Sequence, residues 1–213
     1  MSKEQVYVSV DCEFDGPIPG IHSMLEIGIV VMNHALEDIW ESHSYLSPLP
    51  EACKDPDTHK WLVANGVYDN WIKNKKDIEP NLINPRSVFT RLNTQLATYG
   101  IGNCILVGYP SAVEFMWLRF YFDKYCGKSW PFGYSAIDLE TLAMPFLGDN
   151  PREFSDEILH NKWPVDLSNQ HDALADAKRQ ASWFKQIMNQ YSKEFWGIRA
   201  VTERCMSQCN NGE

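Results

Sequence analysis

The segment 6–14, VYVSVDCEF, restricts the fold more than any other part of the sequence. The residues of one face are apolar, with the two-residue period of a β-strand: Val6, Val8, Val10 and Cys12. Asp11 and Glu13 share the opposite face, near the end of a strand that is otherwise suited to a protein core. Burying two like charges is costly unless a cation compensates them. The pair therefore indicates either a cation site or a strand end that emerges into water.

Strands come first in the sequence, and helices alternate with strands after them. The predicted strands cover 6–14, 24–32, 36–46, 104–108 and 134–138. The predicted helices cover 57–76 with a break near Gly66, a segment opened by Pro85 and capped by Asn84, 111–125, a short helix capped by Asp138, 172–190 and 192–205. Three early strands predict an antiparallel meander within a mixed sheet on which helices pack. We expect one domain over 1–213, with 206–213 as a frayed tail.

Charge and composition exclude some classes of function. The formal net charge of −9, from 19 basic and 28 acidic residues, argues against a protein that wraps duplex phosphate backbone. It does not exclude an enzyme that holds a few nucleotides at one end, because bound cations make a carboxylate site locally positive. No apolar run reaches bilayer length and no signal peptide is visible, so we expect a cytoplasmic protein without membrane contact. The six cysteines form no CxxC pair, which favours reduced, mostly buried thiols.

The segment 171–176, HDALAD, opens the helix with the clearest apolar stripe. That stripe comprises Leu174, Ala177, Ala181, Phe184 and Met188. Five helical residues turn by about 140°, so His171 and Asp176 converge only if His171 lies on the loop that leads into the helix. The alternative is a capping segment, with Asp172 favourable in the first turn and His171 structural.

A third segment, 108–115 (GYPSAVEF), joins the end of a buried strand to a helix. Glu114 lies in the first turns of that helix. Crevices at strand ends are where ligands bind in open α/β sheets, which makes Glu114 a candidate site residue. The alternative is an ordinary solvated acid near a helix N-terminus.

Taken together, these segments resemble the DEDDh-type 3′→5′ exonucleases, which include oligoribonuclease, ribonuclease T and polymerase proofreading subunits. The matching patterns occur in order: Asp11-x-Glu13, Glu114 six residues after Gly108, and His171-x-Ala173-x-x-Asp176. The combination is most similar to small bacterial and phage-type exoribonucleases. The resemblance implies an α/β fold with a ribonuclease H-like mixed five-stranded sheet flanked by helices. Position 114 departs from the family's pattern, which has Asp there. Asp123 is a weaker candidate for that acid.

The resemblance also implies a mechanism. Two divalent cations, Mg²⁺ or Mn²⁺, would be held by Asp11, Glu13, Asp176 and Glu114. Asp11 would bridge both ions, and His171 would be the general base. The enzyme would release nucleoside 5′-monophosphates from single-stranded 3′ ends. RNA is expected over DNA through the subgroup resemblance alone, and a homodimer is an expectation of the same kind.

Substrate contacts are less constrained by the sequence. Phe14, Met24 and Leu25 are candidates for stacking or wedging against terminal bases, with core packing as the alternative. Core packing is also expected for the tryptophans in helical patterns: Trp61, Trp117 and Trp183. A basic run comprises Lys73, Lys75 and Lys76, which either touches the substrate backbone or ends a solvated helix.

Two other functions remain open at this point. A binding or scaffolding module could keep the fold and lose turnover through the change at Glu114. A ribonuclease H-like endonuclease is disfavoured because the spacing of His171 and Asp176 matches the exonuclease type.

Overall fold

A mixed five-stranded sheet forms the centre of the computed structural model, which describes residues 5–127, 129–148 and 155–193. Its strands are β1 (Val6–Phe14), β2 (Met24–Met32), β3 (Asp38–Tyr45), β4 (Cys104–Gly108) and β5 (Phe132–Asp138). They lie in the order β3-β2-β1-β4-β5. The first three form the predicted antiparallel meander, and β4 pairs parallel with both β1 and β5. The predicted ribonuclease H-like mixed sheet is thus confirmed.

Helices flank this sheet. They are α1 (Pro56–Ala64), α2 (Val67–Lys75), α3 (Pro80–Ile83), α4 (Pro85–Leu96), α5 (Ser111–Cys126), α6 (Leu139–Leu147), α7 (Asp156–Lys162) and α8 (Ala173–Tyr191), with a 3₁₀ turn at Ala97–Tyr99. The break predicted near Gly66 is present, because Gly66 has a left-handed φ of 74° between α1 and α2. Asn84 and Asp138 cap α4 and α6 as predicted. None of the helices in the described ranges is long and apolar enough to cross a membrane.

Some predictions differ from the structure or lie outside it. Helices α3 and α7 were not predicted, since four and seven residues are too few for a clear helical period. All but two residues of the predicted helix 192–205, and the whole predicted tail 206–213, lie outside the described residues. Of the cysteines in the described residues, Cys12 and Cys104 are buried free thiols, Cys126 is half-buried and Cys53 is exposed, so Cys53 is the exception to the expectation of mostly buried thiols.

The two faces of the sheet are covered by different helices. The apolar face of β1 packs against α4 and α5, in a core that includes Val8, Val10, Phe89 and Trp117. The opposite face is covered by α6 and α8. On α8 the buried positions include Ala177, Ala181 and Phe184 of the predicted stripe, while Leu174 and Met188 are half-buried at its margin. Asp11 and Glu13 therefore emerge from β1 on the side that α8 covers.

Candidate active site

The N-terminus of α8 packs directly against strands β1 and β2, next to the two acids of β1. In the β1–β2 register, Asp11 is opposite Gly28 and Glu13 is opposite Glu26. A Cβ at Gly28 would lie only 2.1 Å from the Ala173 carbonyl oxygen, so a larger residue there would push the start of α8 away. Gly28 thus permits the close approach that brings α8 to the carboxylates of β1.

His171 lies on the loop that leads into α8, which is the placement its convergence with Asp176 requires. Asp172 is the N-cap and accepts a hydrogen bond from the Ala175 amide at 2.9 Å. His171 has a left-handed φ of 64°, and its own amide donates to Asp176 Oδ2 at 2.8 Å. His171 Nδ1 is 4.0 Å from Glu13 Oε1. Ligand atoms of Glu13, His171 and Asp176 all lie within 4.8 Å of one another, so these three predicted residues are brought together.

Glu26 holds this arrangement in place from β2. Its Oε1 accepts from the Ala173 amide at 3.0 Å and contacts His43 Nε2 at 2.6 Å, which connects β2, β3 and α8. Burial alone would lower the pKa of His43, but the hydrogen bond and the charge of Glu26 raise it above its usual value. His43 thus partners the buried carboxylate of Glu26, which lies opposite Glu13 in the β1–β2 register. The sequence analysis missed this pair, because an acid within the apolar run 24–32 was its only local signal.

Glu114 is buried rather than solvated. It lies in the first turn of α5, which is anchored where the Ser111 amide donates to Asp138 Oδ2 at 3.0 Å. Its side chain is 3% exposed, and Glu114 Oε2 has no hydrogen-bond partner among the described residues. Burial raises the pKa of Glu114 to about 8. Asp123, the weaker candidate, instead forms an exposed ion pair with Arg119 farther along the same helix.

The carboxylates of this region destabilise one another's charged forms. Burial, followed by the charges of Glu13, Glu114 and Asp176, raises the pKa of Asp11 well above its usual range. Burial and then Glu26 do the same to the pKa of Glu13. Burial also raises the pKa of Asp176, against the lowering effect of Arg179, with which Asp176 forms an ion pair.

An oxygen-rich, net negative site with an unpartnered buried carboxylate oxygen fits a divalent cation. Mg²⁺ and Mn²⁺ prefer carboxylate and water oxygens, and they offset the repulsion between the acids. The donors available are carboxylates of Asp11, Glu13, Asp176 and Glu114. These residues therefore suit the cofactors that the sequence predicts.

The stability of the cation-free protein is expected to fall as the pH rises. Folding raises the pKa of Glu114 to about 8, and the pKa values of Asp11 and Glu13 move in the same direction. A carboxyl with a raised folded-state pKa stabilises the fold below its unfolded pKa, and this contribution is lost as the pH rises through the folded pKa. Thermal unfolding in EDTA should therefore have a midpoint lower by roughly 5 °C or more at about pH 8 than at about pH 5.

Two additions separate this effect from general alkaline destabilisation. Mn²⁺ should recover the midpoint at the higher pH, since a ligand that binds only the folded state stabilises it. Glu114→Gln should flatten the pH dependence, whereas Asp123→Asn, which removes an exposed acid on the same helix, should leave it unchanged. A midpoint that does not change with pH in EDTA would contradict the burial of these acids.

Two of the three predicted substrate contacts are packed inside the protein. Met24 is 0% exposed in the core under α5, and Leu25 is 1% exposed against Leu62 and Trp71. Neither side chain presents a surface that a base could cover, so both residues are core residues, which is the alternative that the sequence left open. Phe14 is half-buried and stacks on Trp117, with centroids 4.8 Å apart and ring planes 7° apart.

Trp61 is the residue for which the sequence prediction of core packing was wrong. Leu62 takes the buried position of α1, and Trp61 is 46% exposed. Its ring lies edge-on to the imidazole of His171, with centroids 4.9 Å apart. Trp117 and Trp183 are fully buried, as predicted. Of the basic run, Lys75 extends over the Trp71 ring, 3.3 Å from its centroid.

Comparisons with known proteins place this architecture among nucleases. No family model matches the chain. The 3′-5′ DNA exonuclease Cap18 of Escherichia coli is 26% identical over 198 residues, which span 86% of this chain and 92% of that protein. The solved nuclease domain of 3′hExo, a DEDDh family member bound to rAMP, superposes with a TM-score of 0.65 at 15% identity, covering 88% of this chain and 93% of that one.

A longer protein shares the same fold over part of its length. Escherichia coli exonuclease I in complex with a dT13 oligonucleotide superposes with a TM-score of 0.64 at 16% identity, over 90% of this chain and 43% of that one. At such identities the solved structures establish the fold alone, and the match to Cap18 adds a sequence resemblance to a 3′-5′ exonuclease over most of both chains. The predicted resemblance to the DEDDh-type 3′→5′ exonucleases is thereby confirmed, together with the ribonuclease H-like fold.

Proposed function

We propose that this protein is a metal-dependent 3′→5′ exonuclease that removes nucleoside 5′-monophosphates from single-stranded ends. The observation that carries the proposal is the convergence of Glu13, His171 and Asp176 within 4.8 Å, beside the half-buried Asp11 and the buried Glu114. A histidine among these acids offers a proton acceptor next to candidate cation ligands. The sequence likeness to an exonuclease, over most of both chains, supports the same reaction.

The residues would divide the chemistry among them. Asp11, Glu13, Asp176 and Glu114 would hold two divalent cations, which supply Lewis-acid activation and neutralise the charge that develops on the phosphate. His171 is 37% exposed at its side chain and can therefore reach solvent. It would accept a proton from the attacking water as the water oxygen bonds to phosphorus and the 3′-oxygen leaves. Cleavage of the bond between phosphorus and the 3′-oxygen leaves the 5′-phosphate on the released nucleotide.

The preferred sugar has support in both directions. The predicted preference for RNA rests on the subgroup resemblance alone. The curated relative is named as a DNA exonuclease, and solved neighbours include one bound to rAMP and one bound to an oligodeoxynucleotide. RNA and DNA are therefore the two arms of the first experiment, because only the 2′-hydroxyl distinguishes them at a given position.

The test is a timed digest of 5′-labelled single-stranded RNA and DNA with Mg²⁺ or Mn²⁺. We expect a ladder that shortens from the 3′ end, mononucleotide products, and no product in EDTA. Internal cleavage of a circular single strand would indicate the endonuclease instead. Retained Mn²⁺ binding without shortening of either substrate would contradict the enzyme and favour a binding module.

We expect Trp61 to contact the substrate, because an exposed indole edge-on to His171 offers a stacking surface at the site. Trp61→Ala should raise KM for single strands about tenfold, since stacking on one base is worth about 1–3 kcal/mol. The matched control is Tyr134→Ala, which removes an aromatic residue that is 96% exposed on β5. An unchanged KM in the Trp61 variant would exclude this contact.

A further inference from the structure

Gln180 is a buried polar residue that the proposed mechanism does not use. It follows Asp176 by one turn of α8, so the two side chains lie on the same face of the helix. Gln180 is 4% exposed. Its Nε2 donates to Asp11 Oδ1 at 2.9 Å, while its Oε1 is buried without a hydrogen-bond partner among the described residues.

The orientation of this amide follows from its neighbour. An ionised carboxylate, the form that holds a cation, offers only acceptors, so the nitrogen of Gln180 faces Asp11 and the oxygen points elsewhere. A buried acceptor without a partner is unfavourable, and such groups in native proteins call for a donor, water or ion. Gln180 lines the same cleft as Asp11, Asp176, Tyr109 and Asp156. The side chain of Gln180 therefore borders a cleft that already contains two candidate cation ligands.

We propose that Gln180 is part of the cation-binding site. Its Nε2 holds one oxygen of Asp11 and so orients that carboxylate, and its Oε1 offers a lone pair to the hydrated cation. An amide suits this position because it adds an oxygen donor without adding another negative charge to a crowded group of acids. Gln180 acts partly through Asp11, which makes it a positioning residue for the cation. The inference rests on the proposed function, since that function requires the cation.

The test measures Mn²⁺ binding to the full chain by titration calorimetry, without substrate. Gln180→Leu should weaken Mn²⁺ binding about tenfold or more, since loss of a residue that orients a metal ligand costs about 10–100-fold in affinity. Gln180→Glu should bind Mn²⁺ more tightly than Gln180→Leu, because it keeps an oxygen at the position of Oε1 although the donor to Asp11 is lost. The matched control is Gln186→Leu, on the same helix, where the amide donates to the Pro164 carbonyl instead.

The outcomes separate this inference from the proposed function. If the wild type and Gln180→Leu bind Mn²⁺ with equal affinity, the inference about Gln180 is overturned and the proposed function is not. Equal weakening by Leu and Glu would overturn the role of Oε1, because it would mean that only the hydrogen bond to Asp11 matters. A wild-type chain that binds no Mn²⁺ would overturn the cation-dependent function as well. If the Leu variant unfolds in EDTA, Gln180→Met takes its place with a side chain of similar shape.

Discussion

Replacing His171 with alanine is expected to lower the rate of 3′-end cleavage by about 10²–10⁴-fold, the range for loss of a general base. The side chain of His171 faces Glu13 and Asp176, yet its own amide already satisfies Asp176 Oδ2, so the loop contact survives truncation to alanine. We therefore expect Mn²⁺ binding and thermal stability to remain near those of the wild type. Single-turnover digestion of a 5′-labelled strand measures the chemical step without product release.

The matched control for this variant is His34→Ala. His34 is exposed in the turn between β2 and β3, far along β2 from the end that carries Glu26. The His34→Ala variant should digest the substrate at the wild-type rate. A His171→Ala variant that keeps the wild-type rate would remove His171 from the mechanism. A variant that loses Mn²⁺ binding along with activity would make His171 a cation ligand, since its ring atom lies within reach of the same carboxylates.

Much of the framework could be predicted because its signals are local. Alternation along β1 places Asp11 and Glu13 on one face whatever the rest of the chain does. Gly66, Asn84 and Asp138 end or cap helices through their own backbone and side-chain preferences. The meander follows because three consecutive strands with short connections pair with their neighbours.

The parts that escaped prediction depend on contacts between distant segments. Glu26 and Ala173 are 147 residues apart in the sequence, and Gln180 and Asp11 are 169 apart, so no periodicity relates either pair. The exposure of Trp61 depends on which face of α1 packs on β2, where Leu62 took the buried position. Gly28 is important only because α8 crosses it. The site residues could be predicted from the spacing of sequence motifs, whereas the residues that position them are identified only by the three-dimensional structure.

Glu114→Gln is the substitution that bears most directly on the departure from the family pattern. Glu114 is buried with a free carboxylate oxygen, which is the arrangement a cation ligand requires before the cation binds. Loss of its charge should lower the cleavage rate about 10³-fold, because a metal ion contributes several kcal/mol to the stabilisation of a phosphoryl-transfer transition state. Mn²⁺ binding should weaken in the same variant. Asp123→Asn, on the same helix, should change neither quantity.

Glu114→Asp then distinguishes the active enzyme from a fold retained for binding. If the wild type is active, the site is built around the longer side chain. Asp should then withdraw the carboxylate by one methylene and reduce the rate about 10²-fold, less than Gln does. If Glu114 had instead ended turnover, the wild type would be inactive and Asp would increase cleavage, since it restores the family's residue. The sign of that one change, measured by the same single-turnover digest, decides between the two functions. We expect a decrease in the cleavage rate. The hydrogen bond between Ser111 and Asp138 fixes the start of α5, and from that position the charge of Glu114 raises the pKa of Asp11, so the longer side chain already acts on the other acids of the site.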